Sequence, residues 1–303
     1  MSDLDLEKDL SAILRKEQIR RDEPMARHTT FGVGGPCDWF LMPETVSEFI
    51  SLVKYFREKG ISYLTVGGGA NLLVRDKGIR GAVIWTGKFS GVEISGNTLT
   101  AFSGTPTAQV AKKAWEEGLS GLEFAAGIPG TIGGAAYMNA GAFDGEMAKV
   151  VTEIRTCDAA GCEHCYDVSE LGYGYRTSRF MENPETILEI RMRLSVGNSA
   201  DISAKMEEYR RKRIATQPLS LRSAGSTFKR PVGVAAAKLI DDAGLKGFSV
   251  GDAAVSEKHA GFIVNLGHAT CADILAVMAR VSEKVNEKYG VRLEPEVRIV
   301  GED

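Results

Sequence analysis

The sequence predicts an α+β fold in which a larger N-terminal part of mixed helices and glycine-ended strands precedes a smaller α/β part. Three observations carry this reading. Several amphipathic segments announce both helix ends. The stretches between them switch from a helical period to short apolar runs bounded by glycine. Near Gly197-Asn198 the composition then shifts to a long, basic, helical segment, and Gly-Asn is itself turn chemistry, so a boundary falls there.

The elements follow in chain order. "PETVSEFISLVKYFREKG" begins a helix at Thr45, has Glu48 at the capping-box spacing and stops at Gly60. "ISYLTV" is a short buried strand running into "GGGANLLVRDKG", and "GAVIWTG" is a second strand. "VEISGNTLTAFSG" reads as a hairpin about Gly96-Asn97, residues that reach the positive φ of tight hairpin turns. "TPTAQVAKKAWEEG" places Pro106 at a first helical position and Gly118 at the stop. Strands suit "VTEIRTCDAAG" and "ETILEIRMRLSV", and "GNSADISAKMEEYRRKRIATQP" is helical. "TCADILAVMARVSEKVNEKYG" pairs Thr270 with Asp273 and ends at Gly290. Its Ile274, Met278, Val281 and Val285 fall at three- and four-residue steps, which makes one apolar face.

Composition excludes several functions. The 303 residues carry a net charge of −3, so no global basic field favours nucleic acid or an anionic membrane. The start "MSDLDLEKDL" lacks the basic and apolar regions of a signal peptide. No apolar run reaches the ~18 residues of a membrane-spanning helix, so a cytoplasmic address without a membrane partner is expected. Of the five cysteines, Cys157, Cys162 and Cys165 lie close together with His164 between the last two. A zinc site would need a second such pair, which is missing. The stretch is therefore expected to be a strand, a turn and a strand with reduced thiols, and no metal.

Glycine is the feature that composition does not explain. Six glycines fall within residues 127–147, and a second cluster stands in "VGGGANLLVRD" (66–76). Backbone amides in such turns make concave donors for phosphate oxygens, which side chains would obstruct. A Rossmann fingerprint fails on spacing, because Gly67 and Gly69 would require a third glycine where Leu72 stands, and Gly32 and Gly34 one where Cys37 stands. No phosphate loop of the GxxxxGK type exists either. Two clusters beside predicted strands point to a long bound cofactor on a non-Rossmann scaffold, against the alternative of tight turns alone.

Six blocks then stand in an order that resembles the bacterial UDP-N-acetylenolpyruvoylglucosamine reductases, also called UDP-N-acetylmuramate dehydrogenases: "HTTFGVGG" (28–35), "VGGGANLLVRD", "GLEFAAGIPGTIGGAAYMNAGAFDGEM" (121–147), "YGYRTSRF" (173–180), "AGSTFKRP" (224–231) and "LEPEVRIVG" (293–301). The resemblance runs from about residue 20 to the C-terminus. It implies a vanillyl-alcohol-oxidase-like, PCMH-type FAD-binding domain (28–197) after an N-terminal helical segment (1–27), and then a smaller α/β substrate-binding domain (198–303). It also implies reduction of an enolpyruvyl UDP-sugar by NADPH through FAD, by a chain expected to be a monomer. Cofactor contacts would come from Gly67, Gly68, Gly69, Ala70, Asn71 and Leu72 in one stretch. In the other they would come from Gly127, Pro129, Gly130, Gly133, Gly134, Asn139 and Gly141. His28 is the one histidine preceding the first glycine loop and nothing marks it for attachment, so the flavin is expected to be non-covalent.

The chemistry assigns the remaining residues. Hydride addition to the vinyl carbon leaves negative charge on C2 and its carboxylate, which calls for a cation and a proton donor. By the same resemblance these are Arg176, able to grip a carboxylate by two hydrogen bonds, Glu296 as an acid toward the enolate, and Ser226 as the donor to C2. A serine hydroxyl needs help as an acid, and Lys229 or Arg230 is the expected help. Many relatives read Lys-Asn-Pro where this chain has Lys229-Arg230-Pro231, which puts the asparagine's substrate contact in doubt and offers Arg230 to a phosphate. In "YRRKRIATQP" the diphosphate clamp is expected at Arg210 or Arg213, against the reading of a solvated helix face. Tyr175 is a further substrate candidate. The short span between "YGYRTSRF" and the basic helix implies the shorter subclass, without the loop whose tyrosine closes over substrate. Two rivals stand beside this reading: an FAD-linked oxidase or dehydrogenase of the same fold, and a non-enzymatic nucleotide-sugar binder.

Overall fold

The structure is a computed structural model that describes residues 3–303; Met1 and Ser2 lie outside the described residues. The described residues divide into two compact units, each gathered from separated stretches: residues up to 21, 39–68 and 81–211 in the first, residues 22–38, 69–80 and 212–303 in the second.

The first unit holds an antiparallel five-stranded sheet in the order Glu163–Asp167, Val151–Cys157, Thr186–Arg193, Thr98–Phe102, Val92–Ser95. Its last pair is the expected hairpin. Ser95 pairs with Thr98, and Gly96 takes φ +59 at the first central position of the turn. A four-stranded sheet runs Ile19–Pro24, Pro36–Leu41, Ile79–Trp85, Tyr63–Val66, and its last two strands are parallel. Helix Val46–Lys59 buries Phe49, Leu52, Val53 and Phe56 in a core shared with Leu6 and Leu10 of helix Asp3–Ile13. Burying each such side chain contributes about 1.5–3 kcal/mol. A second core gathers Val110, Ala111 and Ala114 of helix Thr107–Glu116 with Ile132 and Ala136 of the short helix Ile132–Tyr137.

Two helix starts differ in detail from the sequence reading. Thr45 Oγ1 accepts from the Glu48 amide as expected, but the Glu48 carboxylate accepts from the Glu44 amide and from Gln18 Nε2 instead of closing the box. Pro106 is the cap and not the first helical residue, because its ψ of 132° is extended; the Thr107 amide, free of an intrahelical acceptor as in any first turn, donates to the Gly130 carbonyl at 3.0 Å. The cysteine segment is a strand, turn and strand. Asp158 organises the turn, with Oδ1 accepting from the amides of Ala160 and Cys162 and Oδ2 facing His164 Nε2 at 2.9 Å. That imidazole holds the Asp158 carboxyl below its usual range. All five thiols are free, and among the described residues no group of three or more His, Cys, Asp or Glu is placed to hold a metal. No helix among the described residues is long and apolar enough to cross a membrane.

The second unit is a three-stranded antiparallel sheet, Ser249–Val250, Ala253–Val255 and Ile263–Asn265, packed by helix Cys271–Tyr289. Ile274, Met278, Val281 and Val285 are all buried, as their spacing requires, and Val277 joins them. Thr270 and Asp273 form a reciprocal capping box, and Gly290 ends the helix at φ +66. Asp76, at the end of the first glycine cluster, adds a cap that local sequence does not reveal. Its two oxygens accept from the amides of Cys271 and Ala272 at 2.8 and 2.9 Å. A parallel pair, Leu72–Val74 with Arg298–Val300, ties the chain end to that cluster.

Candidate active site

The two glycine stretches are explained first by how closely backbone passes backbone. In the first unit a Cβ at Gly68 would lie 2.6 Å from Gly130 Cα, and one at Gly67 would lie 2.5 Å from Thr131 Oγ1. Gly133 is held against Ser103, with 2.6 Å left to its Cβ. In the second unit a Cβ at Gly69, which has φ +62, would meet the His28 carbonyl at 1.9 Å. Carbonyls of these turns are occupied by the protein: Gly67 O accepts from Trp85 Nε1, Gly69 O from the Thr30 amide, and Gly130 O from the Thr107 amide. The amides of Gly68, Gly69 and Ala70 make no hydrogen bond to another described residue. Free amide donors beside carbonyls already engaged by the protein match what a diphosphate requires, so the residues present fit an FAD pyrophosphate.

Arg176 stands in the first unit on an unusual piece of backbone. Gly174 and Thr177 exchange amide-to-carbonyl hydrogen bonds at 3.2 and 3.3 Å, which makes Tyr175-Arg176 a two-residue loop. Arg176 takes φ +53, a left-handed conformation that costs a residue with a Cβ about 1–2 kcal/mol. Its Nη2 donates to the Gly141 carbonyl at 3.1 Å, and its guanidinium carbon lies 5.3 Å from the ring centre of the exposed Tyr175. The other left-handed non-glycine residues nearby in sequence are Asn139, Phe143 and Asp144. Phe143-Asp144 turns the small hairpin of Gly141–Ala142 and Gly145–Glu146. Tyr209 braces it, stacking on Phe143 with ring centres 4.4 Å apart. No Asn-Gly signal marks that turn, so sequence reasoning passed over it.

Ser226 and Glu296 are brought together in the second unit by ordinary strand-like pairing. Ser226 bridges Phe262 and Phe228 bridges Pro295, so the serine segment lies between two extended neighbours. Between them, buried Thr227 accepts from the Glu296 amide at 2.8 Å through its carbonyl and from the Ile263 amide at 3.1 Å through Oγ1. The Glu296 carbonyl in turn accepts from Asn71 Nδ2 at 2.9 Å. Asn71 is thereby attached to a catalytic candidate, a link of 225 positions that no local pattern contains.

The remaining candidates separate by their partners. Lys229 Nζ lies 3.5 Å from Glu294 on the surface, and Arg230 is exposed. In the basic run Arg210 and Arg211 both contact Glu207. Arg213 differs, because its Nε is buried without a hydrogen-bond partner among the described residues and burial pushes its pKa down. His28 faces Glu23 at 2.9 Å.

Comparison with known proteins shows the family. The family model for the C-terminal domain of UDP-N-acetylenolpyruvoylglucosamine reductase matches residues 217–300, and an FAD-binding domain model matches residues 37–165. The UDP-N-acetylenolpyruvoylglucosamine reductase of Clostridium kluyveri is 45% identical over 294 residues, covering 97% of each chain. That of Clostridium perfringens is 45% identical over 298 residues, again covering 97% of each. The crystal structure of the Thermus caldophilus reductase superposes with a TM-score of 0.81 at 37% identity, covering 93% of this chain and 98% of that one. The fold is accordingly an FAD-binding domain joined to the reductase C-terminal domain, and the chain belongs to the UDP-N-acetylenolpyruvoylglucosamine reductase family of FAD-dependent oxidoreductases.

Proposed function

We propose that this protein reduces UDP-N-acetylglucosamine enolpyruvate to UDP-N-acetylmuramate with NADPH, a step of peptidoglycan precursor synthesis, as a cytoplasmic monomer. The observation that carries the reading is similarity at 45% identity across almost the whole chain. FAD, when bound, would supply the hydride-transfer chemistry between NADPH and the vinyl carbon of the substrate. The backbone of Gly67–Leu72 would hold it together with Gly127, Pro129, Gly130, Gly133, Gly134 and Gly141. His28, already facing Glu23, supports non-covalent attachment.

The chain's own residues handle charge and proton. Arg176 grips the substrate carboxylate and lowers the energy of the enolate, since a guanidinium offers paired donors that stay protonated. Glu296, in its neutral form, donates a hydrogen bond to the same charge. Ser226 Oγ delivers its proton to C2, with the Lys229 and Arg230 cations easing the resulting negative oxygen. Arg213 is the clamp for the UDP diphosphate, supported by its unpartnered Nε and by the engagement of Arg210 with Glu207. Tyr175, exposed beside Arg176, contacts the sugar nucleotide. A short 3₁₀ helix, Arg179–Met181, and strands Thr186–Arg193 and Ser195–Val196 stand between the Arg176 loop and helix Ser199–Thr216, a short connection that supports a site without the closing tyrosine loop.

The test is visible absorbance of the purified protein, taken anaerobically after NADPH and again after the enolpyruvyl sugar. Flavin absorbance that bleaches and then returns with the sugar is expected. Return with air alone would favour an oxidase of the same fold, and a colourless preparation that FAD does not reconstitute would overturn the reading. Sedimentation of the holoenzyme checks the monomer.

A further inference from the structure

We propose that Asn139 is a positioning residue for Arg176: buried at the foot of the loop, it holds the left-handed conformation from which the guanidinium works. The proposal rests on the reading of Arg176 as the carboxylate anchor. Asn139 is only 1% exposed and itself takes φ +42, a conformation asparagine tolerates better than most residues. Its Nδ2 donates to the Gly174 carbonyl at 2.9 Å and lies 3.4 Å from Glu146 Oε2, while its Oδ1 accepts from the Ala148 amide at 2.8 Å. Gly174 O is also the acceptor that closes the Tyr175-Arg176 loop, from the Thr177 amide. Two residues beyond Asn139, the Gly141 carbonyl takes the Arg176 Nη2 donor. Both ends of Arg176, its backbone loop and its guanidinium, are therefore tied to residues 139–141.

The geometry gives the amide a specific job. A left-handed arginine is disfavoured on its own and persists only where neighbours over-determine it. A buried amide whose donor and acceptor sides are both engaged on backbone is well suited to that, because breaking either bond leaves a buried group unsatisfied. The Asn139 side chain, expected among the cofactor contacts, is engaged on Gly174 and Ala148 and acts through Arg176; a cofactor contact at this position falls to its backbone, which both variants below keep.

The experiment follows the two half-reactions of the holoenzyme in Asn139→Asp and Asn139→Gly. Aspartate keeps the size and the acceptor for Ala148 but loses the donor to Gly174, whereas glycine accepts the positive φ without strain and removes both bonds. Flavin bleaching by NADPH should stay within about twofold, while return of absorbance with the enolpyruvyl sugar should slow by about 10²-fold, as for a misplaced catalytic group. In an Arg176→Ala background Asn139→Gly should cost nothing further, because both act on one interaction. Return within about twofold of the parent, or equal slowing of both half-reactions, or full additivity with Arg176→Ala would each overturn the proposal. Arg176→Lys, measured alongside, separates the two readings. Near-normal return there defeats the role of Arg176, and severe loss there with normal Asn139 variants defeats only the role of Asn139.

Discussion

In the first unit Arg176 sits at a left-handed position of a two-residue loop, gripped from outside by Asn139 and Gly141. In the second, Ser226 and Glu296 lie on segments that pair as strands do, with Thr227 between them and no positive φ. One candidate is held in strain by bracing and two rest in relaxed, regular pairing. On the roles proposed above, the difference follows from what each side chain does. A guanidinium that grips a carboxylate needs a fixed direction, which a loop can aim only if its backbone is over-determined. A hydroxyl and a carboxyl that act on the same enolate need closeness, and adjacent strand-like segments provide that without strain.

The largest expected effects are kinetic. Ser226→Ala should leave NADPH reduction of the flavin intact and slow its reoxidation by substrate by about 10²–10⁴-fold, the range for loss of a general acid. Equal loss in both half-reactions would remove Ser226 as donor. Arg176→Lys keeps the charge and loses the fork, so a loss of about 10²-fold confined to the same half-reaction is expected. Turnover near the parent's would mean that the strained loop aims at something else.

Substitutions at backbone contacts test the scaffolding under both regions. Gly68→Ala places a methyl 2.6 Å from Gly130 Cα, backbone that cannot swing aside. Thermal unfolding should report a loss of about 1–3 kcal/mol, together with weaker flavin retention. An unchanged melting temperature and flavin content would mean that the turn has room. The next test bears on strain directly. At Arg176 glycine should be more stable than alanine by about 1 kcal/mol, because φ is positive, and at Ser226 the order should reverse. The same order at both positions would erase the contrast.

The smallest effect concerns thiols, one reporter in each unit. Burial pushes Cys157 in the first unit and Cys271 in the second up to about 12. Both should therefore be almost wholly protonated and unreactive toward a thiol reagent at neutral pH, with reactivity rising only as the pH climbs toward that value. Exposed Cys162 and Cys165 should label first. Early labelling of Cys157 in an Arg176 or Asn139 variant would show that the substitution loosens the whole first unit and not only its loop.

Much of the fold was readable as local pattern. The helix from Thr270 to Gly290 was legible at both caps and along its buried face, since each signal spans only three or four residues. The hairpin at Gly96 and the turn in the cysteine segment were legible for the same reason. Of the candidate site, Arg176, Ser226 and Glu296 came into view through a run of motifs in order, because residue type alone leaves an arginine or a serine undistinguished. The glycines of residues 127–147 were visible, but their cause was not, because Gly68 and Gly130 meet across a gap in sequence.

The sequence by itself determined where helices start and stop, which faces are apolar and where the backbone is free to turn, since those properties depend on neighbours within one or two turns of chain. Tertiary structure alone decided that Arg176 is left-handed, that Asn139 reaches Gly174 and that Asn71 reaches the Glu296 carbonyl. It also decided that Asp76 caps a helix 195 positions away. A buried amide or carboxylate must find a partner wherever the fold brings one within hydrogen-bond distance. That distance is set by packing of the whole unit, and no period of three, four or two residues records it.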